Sequence, residues 1–324
     1  MTRLIIIKVL SINTNTTLVA VKTTSTHFIP VFESYRSAKF DNISKGQTEK
    51  KVRVLSRREH GQWFEQTDTC EMQPDFIRAQ LKEPVNTPIY VYNKATDVFV
   101  SGSILTEGMW EGDLVNQTRD FLMEDRERVL LDLGSNVGVF SLMAAKIGRK
   151  VFSVDILAGN IQRLCASSLA GHFQDQVTII QNALSDERGN VTYKTYRGNV
   201  GGTFVKKLDG VQTAHGIKII PAILLDDLLE IFKFQKVVIK MDVETFEEQI
   251  LKGGKKFFTE ARVDYLLMEF GYHRTRPSGR SIIEILDKYG MTPMLPSVHD
   301  VRNLTDSEIR AWPGYVTWKR KHLK

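Results

Sequence analysis

The sequence predicts an α/β protein whose core is a doubly wound, mainly parallel sheet of about seven strands. From residue 125 onward, short apolar runs of strand length alternate with amphipathic segments of helical period. The run at 129–133 leads into a glycine turn and a helix, and the run at 150–155 then ends in an acid, which is the pattern of a βαβ nucleotide-binding unit. Several later apolar runs also end in an acid or an amide.

The elements follow from hydrophobic period, turn residues and helix stop signals. A β-hairpin at 89–102 and a helix at 107–123 are predicted as an N-terminal extension of the sheet. Strands are predicted at 129–133, 150–155, 177–184, 236–243, 263–270, 291–295 and 315–319, with short extra strands at 190–196 and 216–221 around a glycine-rich loop. Helices are predicted after Gly138 and at 159–169, 224–232, 245–252 and 281–289.

Two regions of different character are predicted. Residues 1–80 lack sustained periodicity and are rich in Thr and basic residues, so they are interpreted as a poorly ordered stem or linker. Residues 81–324 form the predicted domain, with a cofactor half at about 125–185 and an acceptor half at about 186–324.

The distribution of charge argues against a nucleic-acid partner. The net charge is +6, but the first 80 residues hold 12 Lys and Arg against 8 Asp and Glu, so the other 244 residues are close to neutral. A nucleic-acid-binding domain concentrates basic residues on one face, and no such excess is present here. No clear transmembrane segment occurs, because no apolar run approaches ~20 residues.

The compartment is suggested by sequons rather than by cysteines. With only Cys70 and Cys165, neither a zinc cluster nor a disulfide framework is implied, and Cys165 is expected to be a buried free thiol in the helix after residue 158. N-x-Ser/Thr sequons favour the secretory pathway or Golgi, with the cytoplasm as the alternative. They lie at Asn15, Asn42, Asn116, Asn190 and Asn303.

The glycine spacing of the first βαβ unit indicates the ligand. A dinucleotide site uses G-x-G-x-x-G to place a pyrophosphate on a helix N-terminus. Here the pattern is D-x-G-x-x-x-G, formed by Asp132, Gly134 and Gly138, and Asp155 ends the next strand. S-adenosylmethionine carries no phosphate and needs a close glycine turn and an acid for its ribose diol. The pattern therefore favours S-adenosylmethionine over a nicotinamide cofactor.

A second set of charges ends the strand at 236–243. Lys240, Asp242 and Glu244 alternate, so a strand would direct all three to one face, where unpaired charges are costly. They are predicted to be catalytic, with Asp242 as the base that takes a proton, Lys240 holding the carboxylates or the acceptor oxygen, and Glu244 orienting Lys240 or the acceptor. The alternative is a buried Lys–Asp ion pair that braces the sheet.

Five blocks of sequence in order resemble the FkbM family of S-adenosylmethionine-dependent methyltransferases over residues 85–320. The blocks are LDLGSNVGVFSL from Leu131, NALSD from Asn182, LDDLL from Leu225, IKMDVETFE from Ile239 with ILKG after it, and Glu269 at its strand end. Two positions depart from the family pattern: Asp155, Ile156 and Leu157 stand where Glu-Pro is usual, and Thr245 replaces a glycine. Thr is a good helix N-cap, so the turn is expected to survive.

The resemblance implies a class I methyltransferase fold and transfer of a methyl group from S-adenosylmethionine to a hydroxyl on a carbohydrate or small metabolite. The cofactor-binding residues it implies are Asp132, Gly134, Asn136, Gly138, Asp155, Asn182 and Ala183. Weaker acceptor-side candidates are Asn199, Gly201, Glu269 and His273, and no metal ligand set is predicted. Two alternatives remain: a binding protein that keeps the fold without turnover, and a nicotinamide-dependent oxidoreductase.

Overall fold

A computed structural model of the chain describes residues 51–58, 61–196, 198–207, 217–296, 298 and 300–323. Residues 50–324 form one compact unit. Most of the region predicted as a stem, residues 1–50, lies outside the described residues. Among the described residues, no helix combines the length and apolar character that crossing a membrane requires.

The described part of the chain contains strands, α-helices and short 3₁₀ helices in α/β order. The strands are β1 (Arg53–Arg57), β2 (Trp63–Glu65), β3 (Ile77–Gln80), β4 (Pro88–Val91), β5 (Arg128–Leu133), β6 (Val151–Asp155), β7 (Val177–Gln181), β8 (Ala183–Leu184), β9 (Gly189–Tyr196), β10 (Asn199–Lys207), β11 (Lys218–Ile223), β12 (Lys236–Met241), β13 (Arg262–Glu269), β14 (Met291–Pro293) and β15 (Tyr315–Arg320). The α-helices are α1 (Val100–Glu107), α2 (Gly112–Met123), α3 (Val139–Lys146), α4 (Ala158–Ala170), α5 (Glu247–Lys252), α6 (Lys255–Glu260), α7 (Pro277–Lys288) and α8 (Asp306–Arg310). The 3₁₀ helices are Leu225–Glu230, His273–Thr275 and Val301–Asn303.

One large sheet organises the domain, and its order is β14-β15-β13-β12-β5-β6-β7-β1-β2. The pairs from β13 through β12, β5, β6 and β7 to β1 are parallel, and both edges are antiparallel. This confirms the predicted doubly wound, mainly parallel α/β fold. Seven of the strands are the predicted ones, and the N-terminal segment adds β1 and β2.

Apolar side chains cover both faces of this sheet, because alternate residues of each central strand enter different cores. Leu131 and Leu133 of β5 belong to a core that also contains residues of α5, α6 and α7. Leu130 of the same strand belongs to a core with residues of α1 to α4. On that second face the register of β5 and β12 places Asp132 directly opposite Lys240. A charged pair therefore interrupts this largely apolar surface.

The domain begins earlier than predicted. β1 lies parallel to β7, with Val54 opposite Ile179, and β2 extends the sheet by one more strand. The boundary at residue 80 is therefore wrong, since residues 53–65 already belong to the sheet. β1 is only five residues long and its neighbourhood is charged, so it carried no periodic signal.

Two local predictions are also corrected. β4 pairs with β3, not with a strand after residue 98, and Val100 begins a helix instead. The glycine-rich segment predicted as a loop is β10, which pairs with β9 across an irregularity between Asn199 and Phe204.

Cys165 is not a free thiol. It forms a disulfide with Cys70, and the two α-carbons are 4.9 Å apart although 95 residues separate them in sequence. The bond joins the segment before β3 to α4. Such a long-range pairing leaves no local signal in the sequence.

Candidate functional site

A cavity of about 260 Å³ lies where the carboxyl ends of β5, β6 and β12 meet. Ligands bind at this edge of open α/β sheets, as expected from the sequence. The residues that line the cavity come from the segment before α2, from the turn after β5, from the ends of β6, β7 and β12, and from β10. Lys240 is the only Lys or Arg among these lining residues, so the cavity has a single positively charged side chain that could pair with a pyrophosphate.

The turn after β5 brings backbone unusually close to backbone. Gly134 has φ +75°, and a side chain there would place its first carbon 1.8 Å from the carbonyl oxygen of Asp242. Gly138 has φ +97°, and a side chain would place its first carbon 2.3 Å from Leu164. Asn136 lies between them at φ +51°, in the left-handed region. Both glycines and Asn136, which the sequence assigned to the cofactor, line the cavity.

Asp155 ends β6 and lines the cavity, but much of its hydrogen-bonding capacity is used within the protein. Its Oδ2 accepts from the amide of Asn136 at 2.8 Å and from Nδ2 of Asn160 at 3.2 Å, while Oδ1 accepts from the amide of Leu157 at 2.7 Å. Burial raises the pKa of Asp155 to about 6, against the effect of these hydrogen bonds. A carboxylate has about four lone-pair sites, so one remains for a ribose hydroxyl.

Asp132 lies behind the glycine turn, outside the cavity lining. Its Oδ2 accepts a hydrogen bond from the hydroxyl of Ser141 at 2.6 Å, and its Oδ1 lies 4.0 Å from Nζ of Lys240. Burial raises the pKa of Asp132, against the positive charge of Lys240. Asp132 therefore acts on the site through Lys240 rather than by touching a ligand.

Asn182 and Ala183 line the cavity at the end of β7. The amide of Asn182 is largely occupied by the backbone. Its Nδ2 donates to the carbonyls of Arg57 at 2.9 Å and Pro221 at 3.1 Å, and its Oδ1 accepts from the amide of Arg57 at 2.7 Å. Asn182 thus joins β1 and β11 to the wall of the cavity.

Lys240 is only 4% exposed, and it connects the glycine turn to Asp242 at the edge of the cavity. Its Nζ donates to the carbonyl of Gly134 at 2.9 Å and lies 3.5 Å from Oδ2 of Asp242. Burial lowers the pKa of Lys240, but the charges of Asp242 and Asp132 raise it more, so the net shift is upward. Lys240 is a fixed positive charge between two carboxylates.

Asp242 and Glu244 line the cavity beyond Lys240. The hydroxyl of Tyr315 donates to Oδ2 of Asp242 at 2.8 Å. Burial, reinforced by the charges of Asp242 and Glu247, raises the pKa of Glu244 to about 7. Lys240, Asp242 and Glu244 are thus brought together as predicted, although the last two lie past the end of β12.

The family glycine position is not a helix N-cap. Thr245 has φ +80° and Glu244 has φ +53°, and α5 starts only after Phe246. The expectation that Thr245 caps the helix is therefore wrong. Thr245 is not among the residues that line the cavity, whereas Val243, Glu244 and Phe246 are.

Glu269 and His273 lie behind this segment, outside the cavity lining. Nε2 of His273 lies 2.7 Å from Oε2 of Glu247, and Nδ1 lies 2.7 Å from the hydroxyl of Ser278. Oε1 of Glu247 accepts from the amide of Val243 at 3.1 Å. His273 therefore braces the segment that carries Asp242 and Glu244. Burial, with Asp242 and Glu244, raises the pKa of Glu269 to about 8.

β10 covers the glycine turn with its glycine-rich half. Asn199 and Gly201 line the cavity, and a side chain on Gly201 would place its first carbon 3.0 Å from Nδ2 of Asn136. Oδ1 of Asn199 accepts from the amide of Gly202 at 2.8 Å, which shapes the irregular start of the strand. These positions stay candidates for contacting an acceptor.

Two residues of the site had no signal in the sequence. Glu111 lines the cavity from the segment before α2, and Tyr315 reaches Asp242 from the start of β15. Neither belongs to a motif. Within the described residues, no group of three or more His, Cys, Asp or Glu side chains is arranged to hold a metal ion.

The family model of the FkbM methyltransferase domain matches residues 132–293, which is half of the chain. No curated protein matches the chain.

Among solved structures, an S-adenosylmethionine-dependent methyltransferase from Agrobacterium tumefaciens is 11% identical, covers 81% of this chain and 74% of its own, and has a TM-score of 0.41. Magnesium protoporphyrin IX methyltransferase from Synechocystis, solved with bound S-adenosylmethionine, is 16% identical, covers 69% of this chain and 84% of its own, and has a TM-score of 0.36.

Proposed function

Because the chain belongs to the FkbM methyltransferase family and is an S-adenosylmethionine-dependent methyltransferase, we propose that it methylates a hydroxyl oxygen of a carbohydrate or small metabolite. The observation that supports an oxygen acceptor is the carboxyl group of Glu244. It lines the cavity beside Lys240 and Asp242, and its pKa of about 7 lets it take up a proton near neutral pH.

The residues present suit this methyl donor. Gly134 keeps the turn free of side-chain atoms where it meets Asp242, and Asp155 retains acceptor capacity at the ribose end. The single lining cation is already engaged by Gly134 and Asp242, so carboxylates dominate the other end. When bound, the donor supplies a methyl group made electrophilic by its positively charged sulfonium. A carboxylate-lined end accommodates that positive charge.

The proposed catalytic roles differ from those expected from the sequence, in which Asp242 is the base. Oδ2 of Asp242 accepts a hydrogen bond from Tyr315 at 2.8 Å and lies 3.5 Å from Nζ of Lys240, so this oxygen is already engaged within the protein. We assign proton removal to Glu244 instead. Glu244 accepts the hydroxyl proton as the acceptor oxygen forms its bond to the methyl carbon and the carbon–sulfur bond breaks. Asp242 and Lys240 hold the acceptor oxygen and the turn in place.

The test is methyl transfer from labelled S-adenosylmethionine to a panel of glycans and small hydroxyl compounds, with Glu244→Gln beside wild type. Glu244→Gln should lower turnover by ~10²–10⁴ and leave affinity for S-adenosylhomocysteine within a few-fold, since the base acts only in the chemical step. Wild-type turnover should rise with pH and level off above about 7, because only the ionised carboxylate is a base.

Glu248→Gln is the matched control, because Glu248 follows on the same segment but faces Lys252 and does not line the cavity. It should retain wild-type turnover and pH dependence. Full turnover in Glu244→Gln, with an unchanged pH profile, would return the role of base to Asp242. A product methylated on nitrogen or carbon would overturn the hydroxyl acceptor.

A further inference from the structure

Glu111 adopts a conformation that a non-glycine residue rarely keeps without a reason. It has φ +49° and ψ +45°, immediately before α2, and its side chain lines the cavity beside Lys240 and Asp242. Left-handed backbone at such a residue is unfavourable and persists only where the surroundings impose it. Strain of this kind concentrates at functional sites.

The carboxylate of Glu111 is also incompletely satisfied. Its Oε2 is buried and has no hydrogen-bond partner among the described residues. The hydroxyl of Tyr315 lies within reach of both Glu111 and Asp242, but it has a single hydrogen and meets Oδ2 of Asp242 at 2.8 Å, so it does not satisfy Oε2 of Glu111. A buried acceptor without a donor is expensive, so this oxygen is placed to receive one from a ligand.

The charges around Glu111 define what that ligand must bring. Asp242 and Glu244 line the same end of the cavity, Asp132 adds a further negative charge from behind the glycine turn, and Lys240 is the one cation among the lining residues. Burial raises the pKa of Glu111; the charge of Lys240 and a hydrogen bond from Tyr315 oppose the shift, and the charge of Asp242 adds to it. The missing partner is therefore a cationic donor of hydrogen bonds, not an anion.

We propose that Glu111 binds the α-ammonium group of S-adenosylmethionine. This inference rests on the assignment of the methyl donor. An ammonium group carries a positive charge and three donors, which matches a buried, unpartnered carboxylate oxygen in an electronegative end. The donor's α-carboxylate is bonded to the same carbon and therefore lies at the same end, where Lys240 is the one cation among the lining residues, and Asp155 is the acid available to the ribose.

The experiment compares two neutral-sulfur ligands by calorimetry: S-adenosylhomocysteine and its analogue in which hydrogen replaces the α-amino group. Wild type should prefer the amino compound. Glu111→Gln should weaken S-adenosylhomocysteine roughly 10- to 100-fold, as expected for loss of a charge-assisted hydrogen bond, and leave the des-amino analogue within about twofold. Asp113→Asn, an exposed acid in the first turn of α2, should change neither affinity.

Glu111→Gly separates a ligand-binding role from a structural one. Glycine relieves the left-handed strain while removing the carboxylate, so the variant should melt no lower than wild type and still lose the preference for the amino compound. Equal weakening of both ligands in Glu111→Gln would overturn the proposal. So would unchanged binding of both with a raised KM for the acceptor, which would place Glu111 on the acceptor side. Failure of wild type to bind either ligand would instead overturn the donor assignment.

Discussion

Strained backbone surrounds the cavity. Eight non-glycine residues in the described part of the chain have positive φ, and three of them, Glu111, Asn136 and Glu244, line this one cavity. Thr245 at φ +80° follows immediately after Glu244. Each such residue costs free energy of folding, which the surrounding packing must supply. The sequence indicated Asn136, Glu244 and Thr245 through their motifs but not that their backbone is left-handed.

Thr245→Gly should stabilise the protein. A β-branched residue is poorly tolerated at φ +80°, and glycine adopts this conformation freely, so we expect a gain of about 1 kcal/mol after the added entropy of the unfolded chain is subtracted. Chemical denaturation measures the change. Turnover should stay within a few-fold, since Thr245 does not line the cavity.

Thr259→Gly is the matched control, because Thr259 is exposed in α6, where replacing threonine with glycine should cost roughly 0.3–0.5 kcal/mol. A loss of stability in Thr245→Gly as large as in this control would show that contacts of the threonine side chain outweigh the strain.

At the level of elements, the sequence predicted the strands and helices whose period was long and regular. The acids that end β6 and follow β12 were found because parallel strands bring their carboxyl ends to one edge. Glu111 and Tyr315 could not be found in this way. They reach the site only because α2 and β15 pack beside the central strands, and such contacts depend on the tertiary arrangement. β10 was predicted to be a loop because its glycines are typical of loops, whereas its pairing with β9 is visible only in the structure.

Two truncated chains test whether the domain begins at the predicted boundary, residue 81, or at the one observed in the structure, residue 50. A chain beginning at Lys50 retains every contact described here and should fold and bind S-adenosylhomocysteine. A chain beginning at residue 81 loses β1, whose Val54 and Leu55 are buried against the sheet, and also loses Cys70 and with it the disulfide to Cys165, so it should be less stable by roughly 5–10 kcal/mol. It also loses Arg57, which bonds to Asn182 and pairs with Asp227 at 2.8 Å.

Thermal melting and calorimetry of both truncated chains measure these differences. Equal stability and equal affinity would mean that β1 and β2 are accessory to the domain. Failure of the chain that begins at Lys50 would instead show that the first 49 residues contribute to folding.

At the scale of the whole molecule, the Cys70–Cys165 bond ties the N-terminal part of the domain to α4. Closing a loop of this length should stabilise the protein by about 2–4 kcal/mol. Disulfides persist in oxidising compartments, so this bond and the sequons favour the same secretory route, which stays a prediction.

Reduction should therefore lower the denaturation midpoint of wild type. The same reductant should not affect a Cys70→Ser, Cys165→Ser variant, which is the control. Alkylation before and after reduction, read by mass spectrometry, reports whether the bond forms in the cell of origin. Two thiols that alkylate without prior reduction would contradict the pairing.

The surplus of carboxyl groups at the methyl-transfer end has a consequence for the catalytic cycle. Methyl transfer turns a sulfonium into a neutral thioether, so the spent nucleotide carries one positive charge fewer than the fresh one. Asp242 and Glu244 attract the charged form more strongly than the spent form. We expect the protein to resist inhibition by its own by-product, and salt to erode that resistance as it screens the carboxylates.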